Sequence, residues 1–251
     1  MDPRIDLLRA FYGGLPRDRV KLETTEHGFD FLAGLLAGGT VLEYGELTLL
    51  GRLHKYKLAR LPARQFDEHL AAHVAQTRNL CLYFDGRAND LFCFNLDNNN
   101  LVNSSALSPE MEFAVRRLGE ILRGAGCEPL IVASGRGYHV WGRLDGAVAN
   151  ELLYAFMLKA GVATAAAQQL AGHDHHRIKF NFYPDPRARD VVSLRLFGTL
   201  HAKNRVFSRI LAPAGLLDEA ASWEYFADHL RNKTITAARF HAASEALAAS
   251  T

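Results

Sequence analysis

Between Leu80 and Arg143, turn-type sequence cuts the chain into short apolar runs rich in strand formers, and this punctuation constrains the fold more than any other feature. Residues 80–84 and 91–97 flank Asp85-Gly86-Arg87-Ala88-Asn89-Asp90 and read as two strands of a hairpin. Residues 130–133 and 138–143 flank Gly135-Arg136-Gly137 and read as another strand pair. Between the pairs, Ser108-Pro109-Glu110 is a helix start, with Ser as cap and Pro at the first helical position. Met111, Val115, Leu118 and Leu122 continue its apolar stripe, and Gly124 and Gly126 stop it. A second helix is predicted over 150–158, strands over 178–182 and 191–196, and helices over 216–250 with a break near Asn232. Upstream, residues 4–12 and 64–76 read as helices, the latter with Phe66, Leu70, His73 and Val74 on one face. Residues 41–50 and 52–60 read as strands around Gly51. Turns that join strands directly favour an α+β fold with a mostly antiparallel sheet over a doubly wound parallel one.

Composition bounds the class. With 251 residues, 49% of them hydrophobic and 22% charged, the chain can bury a sizeable core as one large domain or two small ones. No apolar run is long enough for a membrane span, and Met1-Asp2-Pro3-Arg4 lacks the start of a signal peptide, so no membrane partner and a cytoplasmic location are expected. Cys81, Cys93 and Cys127 form no CxxC pair, which argues against a zinc ribbon or a disulfide framework. Cys81 and Cys93 lie in apolar runs and read as core residues. The formal net charge is only +2, yet residues 177–209 hold eight basic side chains and two acidic ones. That segment suits a polyanion, or is a solvated basic face.

Three segments carry chemistry. In Phe92-Cys93-Phe94-Asn95-Leu96-Asp97, strand alternation sends Asn95 and Asp97 to one face and Phe94 and Leu96 to the other. Two oxygen-bearing side chains so placed can share a hard cation, or simply end a strand that runs into Asn98-Asn99-Asn100. In Ser134-Gly135-Arg136-Gly137-Tyr138-His139, a glycine turn carries a hydroxyl, a guanidinium and an imidazole, a set that suits a triphosphate. The alternative is a hairpin turn with an incidental Arg. The third segment runs from Asp190 through Arg195 and the Gly198 turn to His201 and Lys203.

In this order the three segments resemble the three motifs of the archaeo-eukaryotic primase superfamily, primase-polymerase type. That pattern is acid-x-acid on a strand, then Ser-Gly-x-Gly-x-His, then an acid before an Arg-Leu-Pro-Gly-Ser-Leu-His-like segment. Here they read Asn95-Leu96-Asp97, Ser134 to His139, and Asp190 before Arg195-Leu196-Phe197-Gly198-Thr199-Leu200-His201. Residues 178–184 also resemble the strand that such members place before the third motif. The resemblance covers roughly residues 78–210 and implies an RRM-like primase palm at 78–215, preceded by an N-terminal α/β module at 1–77 and followed by C-terminal helices at 216–251. It implies a DNA primase/polymerase, a template-dependent nucleotidyltransferase that makes or extends primers by two-metal phosphoryl transfer. Asn95, Asp97, Asp190 and His139 would form the catalytic set, with Mg²⁺ or Mn²⁺ at Asn95, Asp97 and Asp190. Asp185 is the second choice for the third acid. Ser134, Arg136 and His139 would bind the nucleotide phosphates, and Arg195 and Lys203 would add positive charge near the triphosphate or template. Expected partners are a single-stranded DNA template and primer, an NTP or dNTP, and a helicase or other replication protein. No zinc is expected.

Two positions depart from that pattern. Asn95 stands where it has an acid, and Phe197 where it has Pro. An amide oxygen can coordinate a cation but brings no negative charge, so a palm that binds nucleotide or nucleic acid without synthesis is the alternative reading. His173-Asp174-His175-His176, with Tyr183 nearby, raises a further alternative, a paired-histidine nicking endonuclease, against a solvated loop. Lys55, Lys57, Arg60 and Arg64 are candidate contacts to a template backbone, and Tyr56 a candidate for stacking on a base.

Overall fold

The computed structural model describes residues 2–25, 29–47, 53–84, 86–98, 108–188, 193–232 and 235–249. The fold is α+β, with seven α-helices and two antiparallel sheets among the described residues. Its contacts divide the chain into two compact units, Met1–Asp85 with Asp190–Ser208, and Gly86–Arg189 with Arg209–Thr251.

The first unit holds α1 (Pro3–Tyr12), β1 (Val20–Thr24), α2 (Phe29–Ala37), β2 (Val41–Leu47), β3 (His54–Ala59), α3 (Ala63–Val74), β4 (Arg78–Tyr83) and β9 (Ser193–Arg195). Its sheet runs β2-β3-β1-β4-β9. Alternation sorts the strands into two faces. Val20, Leu22, Tyr56, Leu58, Leu80 and Leu82 are buried on one, and Leu82 lies beside Leu8, Tyr12, Phe66 and Leu70 of α1 and α3. Lys21, Glu23, Lys55, Lys57 and Arg195 share the other. His73 of α3 is fully buried, and its ring joins two segments. Its Nδ1 accepts the Leu80 N–H at 3.0 Å, and Nε2, which then carries the proton, donates to the Phe197 carbonyl at 3.0 Å.

The second unit holds β5 (Ala88–Asn98), α4 (Pro109–Gly124), β6 (Leu130–Ala133), β7 (Gly137–Ala149), α5 (Asn150–Leu170), β8 (Ile178–Tyr183), β10 (Arg209–Ala212), β11 (Gly215–Leu216), α6 (Glu219–Asn232) and α7 (Ala237–Ala249). The sheet order is β11-β10-β6-β7-β5-β8. Its central part, β5-α4-β6-β7-α5-β8, is two interlocked split βαβ units, the RRM-like topology expected of the palm. Phe92, Phe94 and Leu96 of β5, with Val140 of β7, pack on Met111, Val115 and Leu118 of α4 and on Leu153, Phe156 and Met157 of α5. The Ser108 hydroxyl caps α4 by accepting the Met111 N–H, and Gly126 stops it at φ 83°. Asn150 anchors the start of α5, donating to the Gly86 carbonyl and accepting from Asn89.

One strand pairing differs from the sequence expectation. Residues 80–84 and 91–97 do not form a hairpin: β4 lies between β1 and β9, and β5 between β7 and β8. Both are central strands that need two partners each, and a turn sequence fixes only that the chain reverses, not which strands pair.

The β5–β7 pairing depends on Gly137. A Cβ there would lie 1.8 Å from the Leu96 carbonyl oxygen, a backbone atom that cannot move aside. Gly137→Ala is therefore expected to cost ~3 kcal/mol, read as a fall in Tm. Gly146→Ala on the same strand, where a Cβ would meet nothing within 4 Å, is the near-neutral control.

Acid should loosen the first unit. Burial, aided by the Arg195 charge and opposed by the bond to Phe197, lowers the His73 pKa to about 4. Burial and the Arg78 charge do the same to His69. Both rings fold neutral, so their stabilisation is complete above the ordinary histidine value of 6.5 and is lost as pH falls toward about 4. Stability of His73→Asn, measured from pH 7 to pH 4, is expected to fall less steeply than that of the wild type.

Candidate nucleotide and metal site

The face of the second sheet opposite α4 and α5 gathers five polar side chains from three adjacent strands. Antiparallel register sets Asn95 opposite His139 of β7 on one side and Asn181 of β8 on the other. It sets Asp97 opposite Gly137 and Lys179. Directly opposed side chains share a face, so the β5 carboxylate and amide stand beside an imidazole, a second amide and an ammonium.

Asn95 is buried, 8% exposed, and its Nδ2 donates to Asp97 Oδ2 at 3.3 Å. Its Oδ1 is buried with no hydrogen-bond partner. Leaving such an acceptor unmade is costly, and a cation or a donor would satisfy it. Asp97 is partly open, and Arg136 Nη2 lies 3.8 Å from its Oδ1. Arg136 occupies the β6–β7 turn. There Ser134 donates to the Gly137 carbonyl through both its backbone N–H, at 2.8 Å, and its hydroxyl, at 3.2 Å. Gly135 adopts φ 100°, a conformation open to glycine. The His139 ring meets Trp141 edge-on at 6.2 Å between centroids. Asn95 Oδ1 and the Asp97 carboxylate are hard oxygen donors that fit Mg²⁺ or Mn²⁺. No three His, Cys, Asp or Glu side chains cluster as a metal site among the described residues.

Asp190 and Arg189 lie outside the described residues. Asp185, the second choice for the third acid, accepts from the Arg187 backbone N–H at 2.9 Å and pairs with its guanidinium at 3.3 Å. Arg195 and Lys203 belong to the first unit. Arg195 lies opposite Cys81, on the face that carries Lys21 and Glu23. Burial resists ionisation of Glu23, but the charges of Lys21, Arg195 and Lys55 outweigh it and hold its carboxyl at about 2. Glu23 is thus a fixed anion, 3.0 Å from Lys21, within a cationic surround. Lys203 is exposed in the turn after His201, whose Nδ1 accepts the Lys203 N–H.

The Phe197 departure has a structural reason. The Phe197 N–H donates to the Tyr12 hydroxyl at 3.2 Å, and proline has no N–H to give.

Two candidate assignments change. Tyr56 is buried against Phe31 and offers no surface for stacking. Alternation on β3 turns it to the helix-covered face, whereas Tyr44 is 47% exposed with Lys57 over its ring. His173 and His175 do not share a strand face: His175–Arg177 is a 3₁₀ turn, and the His173 ring packs beside Phe113. Finally, Lys179 and Asn181 join the site from outside the three motifs, and the alternation Lys179-Phe180-Asn181-Phe182 is the sequence signal of their polar face.

The chain matches no known protein-family profile and no curated protein. Among solved structures it is similar to the polymerase domain from Mycobacterium tuberculosis Ligase D in complex with DNA, at 11% identity, over 98% of this chain and 87% of that one, with a TM-score of 0.43.

Proposed function

We propose that this protein is a template-dependent nucleotidyltransferase of the primase-polymerase type, acting on single-stranded DNA with NTPs or dNTPs. The observation that carries this reading is the β5–β7 register, which puts Asp97 and the orphaned Asn95 Oδ1 beside the Ser134–Arg136 turn and His139. A carboxylate next to a turn rich in donors is what a metal-bound triphosphate requires, and the first two motif resemblances converge on the same residues.

In this reading Arg136 and His139 grip the triphosphate and Ser134 shapes the turn that presents them. Asp97, with Asn95 Oδ1, would hold Mg²⁺ or Mn²⁺. Bound there, the ions supply neutralisation of the charge on the transferring phosphate. A 3′-hydroxyl oxygen bonds to the α-phosphorus, the bond to the β-phosphate oxygen breaks, the hydroxyl proton leaves to solvent, and pyrophosphate departs. The chain's work is positioning and charge compensation. Lys55 and Lys57, with the exposed Tyr44, are assigned to the template strand.

The neutral side chain at position 95 favours a second reading, a palm that binds nucleotide and template without joining nucleotides. One experiment separates the two. Protein supplied with Mn²⁺, nucleotides and a single-stranded template is expected to make dinucleotides or extend a primer. Asn95→Asp should raise the rate, and Asp97→Asn or Arg136→Ala should lower it by about 10²–10³-fold. Nucleotide binding with no product from either the wild type or folded Asn95→Asp would establish the binding palm instead.

A further inference from the structure

The last strand in the order of the second sheet brings to the Asp97 face a cation that none of the three motif segments contains. β8 pairs with β5 alone among the described strands. Its register is held from the core side. Phe180 and Phe182 pack against the core, and the Phe182 ring meets Phe94 edge-on at 6.0 Å and Tyr154 at 5.8 Å. Gly161 of α5 makes room for that ring, since a Cβ there would lie 3.0 Å from Phe182 Cζ. Alternation then turns Lys179 and Asn181 to the opposite face, with Lys179 directly across from Asp97.

Directly opposed side chains start about 5 Å apart at Cβ, so Lys179 and Asp97 are neighbours within one unit. Arg136 approaches the same carboxylate from the β6–β7 turn, with Nη2 3.8 Å from Asp97 Oδ1. Asp97 therefore stands between two cationic side chains, and one carboxylate cannot neutralise both. Asn95 and Asn181, on the same face, add no charge. Lys179 is exposed and enters no ion pair among the described residues. Its ammonium carries three donors on a flexible stem. These side chains make the surroundings of Asp97 positive before any metal arrives, and a chain of three phosphates is long enough to touch both cations.

We propose that Lys179 is a phosphate-binding residue, gripping a nucleoside triphosphate from the side of Asp97 opposite Arg136, so that this face holds the triphosphate before a divalent ion binds. The proposal rests on the reading that the face receives a nucleotide. Lys179 contributes charge-assisted hydrogen bonds to phosphate oxygens, and the ion joins at Asp97 afterwards.

Calorimetric titration of the whole chain with ATP and with inorganic tripolyphosphate, first in EDTA and then with Mn²⁺, tests this. The wild type is expected to bind both in EDTA. Lys179→Met keeps the apolar stem and removes the charge, and should raise Kd for both about tenfold in EDTA. Lys179→Arg, which keeps the charge, should stay near wild type. Should Lys179→Met fail to fold, Lys179→Gln is expected to show the same loss. A folded Lys179→Met with unchanged Kd for ATP and tripolyphosphate would overturn the proposal, since a lysine that only offsets the Asp97 charge gives that result. A wild type that binds ATP with Mn²⁺ and not in EDTA would overturn it as well. If Lys179→Met binds ATP more weakly but the wild type makes no product, the role of Lys179 stands and the polymerase reading fails. Product from the wild type, with unchanged ATP affinity in Lys179→Met, overturns the role and leaves the polymerase reading standing.

Discussion

The site depends on the close approach of β5 and β7 at Gly137. Only a residue without a side chain lets β7 pass the Leu96 carbonyl, and that passage sets every register position beyond it. Asn95 therefore meets His139, and Asp97 meets the end of the Ser134–Arg136 turn. One residue of slippage would exchange the faces, placing Asn95 and Asp97 against α4 and α5 and turning Phe94 and Leu96 away from the core. The apolar contacts of Phe92, Phe94 and Leu96 with those helices hold the register from the other side. Packing energy and site geometry are thus one constraint: the core that stabilises the sheet also aims its polar face.

The first unit handles its polar groups differently. Its sheet carries cations on one face, with Glu23 kept ionised among Lys21, Lys55 and Arg195. His73 and His69, by contrast, are kept neutral by burial, so that their rings act as hydrogen-bonding pieces rather than charges. Neutral rings brace the framework and the charged groups are left to the face. A histidine titrating inside the brace would loosen its hold on Leu80 and Phe197.

Much of this is legible in the sequence where local rules suffice. The alternation Phe94-Asn95-Leu96-Asp97 tells the site face from the core face, and Ser108-Pro109 marks the start of α4. The Ser134–His139 turn can be read from its glycines. Strand partnership cannot, because period and turn residues describe a strand without naming its neighbours; β4 and β5 accordingly join different sheets. Tyr56 shows the same limit on a smaller scale: on a strand that alternates basic and apolar residues, the parity is visible but which parity faces the helices is not. Val20 to Thr24 carries an alternation of its own, Val20 and Leu22 against Lys21 and Glu23, too short to stand out without the partners β3 and β4. The link from His73 to Phe197 spans 124 positions in sequence and leaves no local trace.

On the proposed reading, the β5–β7 face holds a metal-bound nucleotide. A crystal structure with Mn²⁺ and a non-hydrolysable nucleoside triphosphate tests it most directly, since anomalous scattering locates the ion. The expected result is Mn²⁺ coordinated by Asp97, with the triphosphate lying against Ser134, Arg136 and His139. A nucleotide bound away from that turn, or an ion that does not touch Asp97, would contradict it.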